Sequence, residues 1–254
     1  MYRKIKTFQE GKSQKISKVK LLLSSPCIQF YKDVVYKCIG YVLVGLGFVT
    51  FVYLNGSIVV GDKEAHQATI NFPQIFYFSL VAGFFLAPFI PGRLLDTLVL
   101  MKKHYYVVTL ATIAAFMIVS VNTVAHPYLL ADNRHYPFYF WKRLYEWYPL
   151  TKFLLVPVYV FLWSFFFASM NEAGSFRLVF FICCVINLVP QLLLEFRYFV
   201  PSYLFIRLNM KHVQWHEVLM EFIFYLFVNV VTLYLFIYRP FYWPDSEEMQ
   251  RFMW

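Results

Sequence analysis

The chain has 254 residues, of which 60% are apolar, 22% aromatic and only 15% charged. A soluble globular domain usually carries about 25% charged residues, so the composition excludes an ordinary soluble protein. The net charge of +9 would also fit a nucleic-acid-binding protein, but the basic residues lie beside long apolar segments and form no nucleic-acid-binding motif. Attraction to anionic lipid explains them better, and no nucleic-acid partner is expected.

The N-terminal segment, residues 1–37, is strongly basic. It holds nine Lys or Arg residues against only Glu10 and Asp33. The positive-inside rule places such a segment in the cytosol. It does not have the form of a signal peptide, because the basic stretch is too long and no small-residue cleavage site follows an apolar core.

Six charge-free apolar runs follow. A helix needs roughly 20 apolar residues to cross about 30 Å of hydrocarbon. The first three runs exceed that length, and the last three reach it if they tilt. The sequence therefore predicts an all-α fold, a polytopic transmembrane helical bundle of six or seven spans over residues 38–239, followed by a short polar tail, 240–254. The runs are 38–61, 65–92, 104–131, 153–171, 178–194 and 222–238.

The seventh span depends on the segment between Arg197 and Arg207. Its nine residues are too short to cross a bilayer alone. It is either a re-entrant or broken helix, with Pro190 and Pro201 as natural break points, or a span that uses residues from both sides. The choice decides which side of the membrane the C-terminus faces.

The distribution of basic residues predicts the orientation of the loops. The connection 55–71 holds one basic residue and is expected on the far side of the membrane, while Arg93, Lys102 and Lys103 return the next loop to the cytosol. By alternation the loop 125–152 is lumenal or extracellular. Either its basic residues serve an anionic ligand, or the predicted topology is wrong. These residues are Arg134, Lys142, Arg143 and Lys152.

A first polar cluster lies in VVGDKEAHQATINFP, residues 59–73. Asp62, Glu64 and His66 are close enough in sequence for acid–base chemistry or for binding a divalent ion. An ordinary solvated loop would have the same composition, and no metal-binding motif is present.

A second cluster is the run Asp132, Asn133, Arg134 and His135, which is flanked by aromatic residues. Arg and His suit a phosphate group, Asp and Asn suit sugar hydroxyls, and aromatic faces suit the apolar face of a sugar ring.

A helix lying along the membrane interface would explain the aromatic residues of 136–149 without any ligand. Trp141 and Trp147 would then belong to an interfacial belt. This alternative does not explain the polar run that precedes them.

A third cluster, Glu195 and Arg197, interrupts an apolar stretch. Ionisable groups at membrane depth are costly and usually pair or face a polar cavity. Two residues apart, they would lie on different faces of a regular helix, so each needs a partner elsewhere or the segment is broken or interfacial. A purely structural ion pair is the simpler alternative.

Four strings, NGSIVVGDK, HPYLLADNRHYPFYFWKR, VPQLLLEFRYFVPSY and the closing QRFMW, resemble the family of dolichyl-phosphate-glucose-dependent α-1,2-glucosyltransferases. The resemblance runs from about residue 55 to the C-terminus. These endoplasmic reticulum enzymes add the third and last glucose to the lipid-linked oligosaccharide used for protein N-glycosylation.

The resemblance implies a multi-pass endoplasmic reticulum membrane enzyme of the GT-C type with a lumenal active site. Its donor would be dolichyl phosphate glucose and its acceptor a diglucosylated glycan on dolichyl pyrophosphate. An acidic residue would act as general base on the acceptor hydroxyl. No cofactor is certain, and a requirement for a divalent metal is left open.

Family members are longer, and their acidic motif lies in a first lumenal loop that has no counterpart here. The chain resembles their C-terminal half, so its catalytic residue is unknown, its activity alone is doubtful, and an N-terminal half is the expected partner. The resemblance transfers no role to individual residues here, and the binding roles that follow are hypotheses from the residue types. Arg134, His135 and Arg197 would hold phosphate, Glu195 would orient Arg197, Asp132 and Asn133 would contact sugar hydroxyls, and Asp62 is a further candidate.

Two other functions stay open from the residues. A transporter or channel accessory would explain charges at membrane depth, although no inverted repeat is visible. A non-catalytic membrane protein that only assembles with others is the second.

Overall fold

The computed structural model describes residues 26–58, 60, 69–123, 129–130, 132–146, 148–171, 174–243 and 247–253. The chain divides into two compact units, Met1–Ala65 and His66–Trp254. The described part of the first unit is dominated by one helix, α1 (Pro26–Asn55). Most of its apolar side chains between Tyr31 and Leu54 are exposed, which is typical of a helix solvated by lipid.

The second unit is also helical, with a two-stranded antiparallel sheet near the C-terminus. Single 3-10 turns at Ala87–Phe89 and Phe196–Phe199 and a π-helical turn at Trp141–Glu146 interrupt or extend its helices. The elements are α2 (Gln74–Phe85), α3 (Ile90–Lys103), α4 (Tyr105–Val121), α5 (Tyr136–Phe140), α6 (Thr151–Leu154), α7 (Val156–Ser169), α8 (Gly174–Leu188), α9 (Val200–Leu208), α10 (Trp215–Tyr238), β1 (Phe241–Tyr242) and β2 (Met249–Gln250).

Within the described residues, three helical segments are long and apolar enough to cross a membrane: Tyr31–Asn55, Thr151–Ser169 and Trp215–Tyr238. A fourth is added if α2 and α3, bent by 69° with respect to each other, count as one broken span. The apolar helices α4 and α8 are shorter, with 17 and 15 residues. The predicted all-α polytopic membrane fold is confirmed, whereas the count of six or seven spans stays a prediction.

The core of the second unit is built around α2 and α7. Gly83 lets the two helices approach closely, because a Cβ at this position would lie 2.5 Å from a methyl carbon of Leu162. The indole Nε1 of Trp163 donates a hydrogen bond to the Ile75 carbonyl over 3.2 Å, and Phe78 packs against the same indole. Burying the indole N–H with a partner avoids the cost of an unpaired donor.

The alternative of an interfacial belt does not fit Trp141 and Tyr145, which lie in the middle of that segment. Trp141 and Tyr145 are buried, with their rings stacked 5.1 Å apart, and both rings meet Tyr77 edge to face. The Tyr145 and Tyr159 hydroxyls hydrogen-bond each other. These aromatics are core residues that tie α5 and the π-helical turn to α2 and α7. Trp147 lies outside the described residues.

The segment around Pro190 is broken, as one of the two alternatives expected. Helix α8 ends at Leu188, and the chain is irregular until the 3-10 turn Phe196–Phe199. Pro201 lies in the first turn of α9, where its missing N–H costs nothing. The nine residues of α9 are too few to span a bilayer.

The second unit has two chemically different ends. At the end we call the basic end, the Asn171 amide donates to the Asn209 carbonyl over 3.0 Å, which joins the C-terminal ends of α7 and α9. At the opposite, cavity end, Asn122 after α4 accepts a 2.8 Å hydrogen bond from the Phe72 amide before α2. The cations near the basic end are Arg93, Lys102, Lys103, Arg177, Arg207 and Lys211.

Candidate functional site

Two of the three polar clusters meet in one cavity of about 620 Å³ at the cavity end. Asp132 and His135 enter it from one side, and Glu195 and Arg197 from the other. Trp243, beyond the end of α10, closes a further wall. The remaining surface is mostly apolar and comes from Leu129, Pro137, Leu193, Leu194 and Phe196. The cavity therefore combines an arginine, a histidine, two carboxylates and an indole within apolar walls.

Two buried amide side chains position the wall that carries the third cluster. The Gln74 Nε2 donates to the carbonyls of Gln191 and Leu193 over 2.9 and 3.0 Å. The Asn71 Nδ2 donates to the carbonyls of Gln191 and Leu192, both over 3.3 Å. These bonds satisfy backbone carbonyls that lie outside any helix. They also fix the position of the chain just before Glu195.

Glu195 and Arg197 pair with each other because the segment is not a regular helix. Glu195 is extended, with φ −129° and ψ 132°, and the Arg197 Nε contacts its carboxylate. This hydrogen bond raises the pKa of Arg197 above its ordinary value, so the guanidinium stays charged. The Arg197 side chain is 72% exposed while that of Glu195 is 24% exposed. Arg197 is therefore paired and still open to a ligand.

Asp132 is held by Arg134 through both carboxylate oxygens. The Arg134 Nε donates to Oδ1 over 2.9 Å and Nη2 donates to Oδ2 over 2.7 Å, while the Arg134 amide also donates to Oδ1 over 3.0 Å. These bonds hold the pKa of the Asp132 carboxyl below its ordinary value, against the opposing effect of partial burial. The carboxylate is thus a fixed negative charge at the cavity wall.

Asn133 and Arg134 support the wall from behind and do not border the cavity. The Arg134 guanidinium carbon lies 5.1 Å from the ring centre of Trp243, and the Asn133 Oδ1 accepts a 2.6 Å hydrogen bond from the Trp243 indole N–H. One face and the polar edge of the indole are thereby fixed. Direct contact of Asn133 and Arg134 with a ligand stays a prediction.

His135 borders the cavity with its Nε2 3.6 Å from the Asp132 Oδ2. The carboxylate orients the imidazole ring. His135 and Arg197 are the two nitrogen-bearing side chains of the predicted clusters that border the cavity.

The residues after α10 form part of this site and not a free polar tail. The Met253 amide donates to the Arg134 carbonyl over 2.9 Å, and the Tyr136 amide donates back to the Met253 carbonyl over 3.3 Å. Phe252 packs against the rings of Tyr136 and Tyr139. The tail thus pairs with residues 134–136, which also puts the C-terminal residues at the cavity end.

Sequence reasoning missed Trp243. The only signal nearby was the closing QRFMW string, which begins seven residues after it. Asp62, the remaining candidate, lies outside the described residues. Among the residues that the structure does describe, no group of three His, Cys, Asp or Glu side chains could hold a metal ion.

The profile of the DIE2/ALG10 family matches residues 2–208 of the chain. A human protein named Dol-P-Glc:Glc(2)Man(9)GlcNAc(2)-PP-Dol alpha-1,2-glucosyltransferase is 43% identical over 217 residues, which are 84% of this chain and 46% of the human one. Proteins of the same name from Drosophila melanogaster and Arabidopsis thaliana are 36% and 38% identical, over 92% and 84% of this chain and 53% and 44% of their own lengths.

The chain thus spans about half the length of the curated relatives it matches. No solved structure matches it significantly. The family profile covers most of the chain, and some relatives are more than 40% identical to it. These two findings establish the family. The chain belongs to the DIE2/ALG10 family.

Proposed function

We propose that this chain forms part of a glucosyltransferase that transfers glucose from dolichyl phosphate glucose, in α-1,2 linkage, to a diglucosylated lipid-linked oligosaccharide. The observation that carries the proposal is the meeting of residues 132–135 and 193–197 in one cavity, in a chain whose relatives bear that name. The fold would then be of the GT-C type.

In this scheme His135 and Arg197 bind the lipid phosphate or pyrophosphate. Charge-assisted hydrogen bonds to phosphate are among the strongest that side chains form, and both groups face the cavity. Asp132 and Glu195 accept hydrogen bonds from sugar hydroxyls, because each has carboxylate lone pairs near the same space.

Trp243 offers the ring on which a sugar would stack. Its indole is fixed by Asn133 and Arg134, so little conformational entropy is lost when a ring settles on it. The apolar walls at Leu194 and Phe196 suit the first isoprene units of a lipid that leads from the bilayer.

The general base is assigned to neither carboxylate of the cavity. Asp132 has a lowered pKa because Arg134 stabilises its charge, which makes it a weak proton acceptor. Glu195 is paired with Arg197. We infer that a residue outside the part of the family that this chain matches supplies the base.

The endoplasmic reticulum membrane is the proposed location, with the cavity end in the lumen. At the basic end, helix α3 carries Arg93, Lys102 and Lys103, and Lys211 follows α9; the positive-inside rule favours a cytosolic position for this end.

The proposal is tested in cells that lack the α-1,2-glucosyltransferase. A chimera in which residues 2–253 replace the matching part of the human relative is expected to restore the third glucose on the lipid-linked oligosaccharide, measured by chromatography of the released glycans. The chain expressed alone shows whether it is active without the remaining half. No third glucose from either protein, at normal protein level, would refute the function.

Within the active chimera, Arg197→Ala and His135→Ala each remove one charge-assisted contact. We expect each to slow transfer about tenfold to hundredfold, because such a contact contributes about 1.5–3 kcal/mol. Lys142→Ala is the matched control, since Lys142 pairs with Glu146 over 3.1 Å and does not border the cavity. Wild-type rates in both cavity variants would overturn their roles.

The alternative of a transporter accessory or a non-catalytic membrane protein is not favoured. The relatives are named as glycosyltransferases, and nothing within the described residues points to a transport pathway.

A further inference from the structure

A second cavity of about 580 Å³ lies on the side of the bundle, between α4, α7 and α8, and shares no residue with the first. Its size is within the range of small-molecule sites, about 300–1,000 Å³. One wall is a stripe of small and apolar side chains along a single face of α4, from Val107 through Ala111 and Ala115 to Ile118. We call this cavity the lipid groove.

The length and lining of the lipid groove fit a hydrocarbon chain. From Val107 to Ile118 a helix rises about 17 Å, roughly the depth of one leaflet in a hydrocarbon core of about 30 Å. The facing wall comes from Val160, Trp163 and Phe181 and is also apolar. The exposed side of α4 carries apolar residues, so the groove opens towards lipid and not towards water.

One end of the lipid groove is cationic. Arg177 and His104 border it there, at the basic end of the bundle. The Arg177 Nη2 donates to the Met170 carbonyl over 3.0 Å, whereas its Nε is buried and lacks a partner among the described residues. A buried donor without a partner is costly, and an anionic oxygen at this place would relieve the cost. Among the described residues that border the groove, none is acidic.

We propose that the lipid groove binds one acyl chain of an anionic glycerophospholipid, with its negatively charged headgroup against Arg177 and His104; the choline cation of a zwitterionic lipid would face the same guanidinium and weaken binding. Lys102 and Lys103 directly precede His104, are exposed, and add positive charge where the headgroup would lie. An isoprenyl phosphate substrate is not the expected occupant, because the cavity proposed for its phosphate is at the opposite end of the bundle. The site is independent of the proposed enzymatic function.

The test uses the full chain, purified in detergent and incubated with phosphatidylserine or phosphatidylcholine of identical acyl chains. Lipid retained by the protein is counted by native mass spectrometry. We expect about tenfold better retention of phosphatidylserine, the size of effect that one charge-assisted contact produces. Arg177→Gln is expected to reduce that retention to the phosphatidylcholine level.

Two further variants make the result specific. Ala111→Phe fills the lipid groove, leaves Arg177 in place, and is expected to lower retention of both lipids. Arg239→Gln changes an exposed cation outside the groove and should retain lipid like the wild type. Equal retention of the two lipids by the wild type, or unchanged retention in both groove variants, would overturn the proposal. Preferential retention of dolichyl phosphate in a parallel incubation would overturn the assigned occupant.

Discussion

Arg93 at the basic end and Arg197 at the cavity end each pair with a glutamate, yet their surroundings differ in nearly every respect. The Arg93 and Glu217 side chains are 5% and 6% exposed. The Arg93 Nη1 and Nη2 donate to the two Glu217 oxygens over 2.5 and 3.2 Å, and Nη2 also donates to the Lys211 carbonyl. Glu217 in turn accepts from the Gln214 amide. Arg197, by contrast, meets one carboxylate and is largely exposed.

A second arginine–glutamate ion pair lies at the basic end, one helical turn further along α10. Arg207 donates to both oxygens of Glu221 over 2.8 and 2.7 Å. The Phe89 ring lies near both arginines, 5.4 Å from the Arg93 guanidinium carbon and 4.7 Å from that of Arg207. Both arginines at the basic end are thus held against carboxylates inside the protein. The difference teaches that burial and the number of partners, and not the residue types, separate a buried structural ion pair from one that is open to solvent.

The largest expected effect comes from breaking the buried pair. Glu217→Ala leaves the Arg93 guanidinium buried without its counterion, which costs about 3–5 kcal/mol of the free energy of unfolding. Glu195→Ala is the matched variant at the cavity end and should cost less than about 1 kcal/mol, because its partner is exposed. Denaturant titration in micelles measures both. Equal losses would remove the distinction between the two ends.

A smaller effect is expected from crowding the same pair without removing a charge. A Cβ at position 92 would lie 2.5 Å from the Glu217 Oε1, so Gly92→Ala must displace the carboxylate from Arg93. We expect a loss of about 1–3 kcal/mol in the free energy of unfolding, despite the better helix propensity of Ala.

The control for this variant is Gly45→Ala in α1, where a Cβ meets no atom within 4 Å. It should leave the second unit unchanged or stabilise the protein slightly. Thermal unfolding of the two variants side by side decides the point, and a stabilised Gly92→Ala protein would contradict the tight packing of Glu217.

The smallest effect concerns Asp132, whose side chain is 25% exposed, close to the 24% of Glu195. Since its folded pKa is lowered by Arg134, its pairing stabilises the protein above the ordinary Asp pKa of about 3.9 and is lost as the pH falls through the folded value. Asp132→Asn is expected to cost about 1 kcal/mol near neutral pH. The difference in the free energy of unfolding between the wild type and Asp132→Asn should disappear at acidic pH. A series of unfolding curves at different pH values measures it. A difference that does not change with pH would exclude the coupling between the Asp132 protonation state and stability.

Composition and apolar run lengths were enough to predict the helical membrane fold, because the constraint that lipid imposes on the backbone is local. Proline chemistry offered a broken segment as one of two alternatives, and the structure shows a break after Leu188. The burial of Trp141 and Tyr145 was not predictable, since an aromatic run looks alike whether it faces headgroups or a protein core. The partners Tyr77 and Tyr159 that decide the matter are distant in sequence.

The candidate site was likewise predictable from the sequence only in part. Asp132, His135, Glu195 and Arg197 stood out because charges in apolar surroundings are costly. That they share one cavity, and that Trp243 completes it, depends on tertiary contacts that no local pattern contains. The direction of Asn133 and Arg134, towards the indole, follows from the position of the tail.

The pairing of Met253 with residues 134–136 also orders events in time. The two segments are far apart along the chain, so bringing them together costs conformational entropy of the intervening loop. The hydrogen bonds between them offset this cost only once the contact has formed. During synthesis the 129–135 segment reaches its side of the membrane well before the tail exists. The wall that Trp243 supplies is therefore assembled last, and the cavity of a nascent chain stays open on that side until α10 has been inserted.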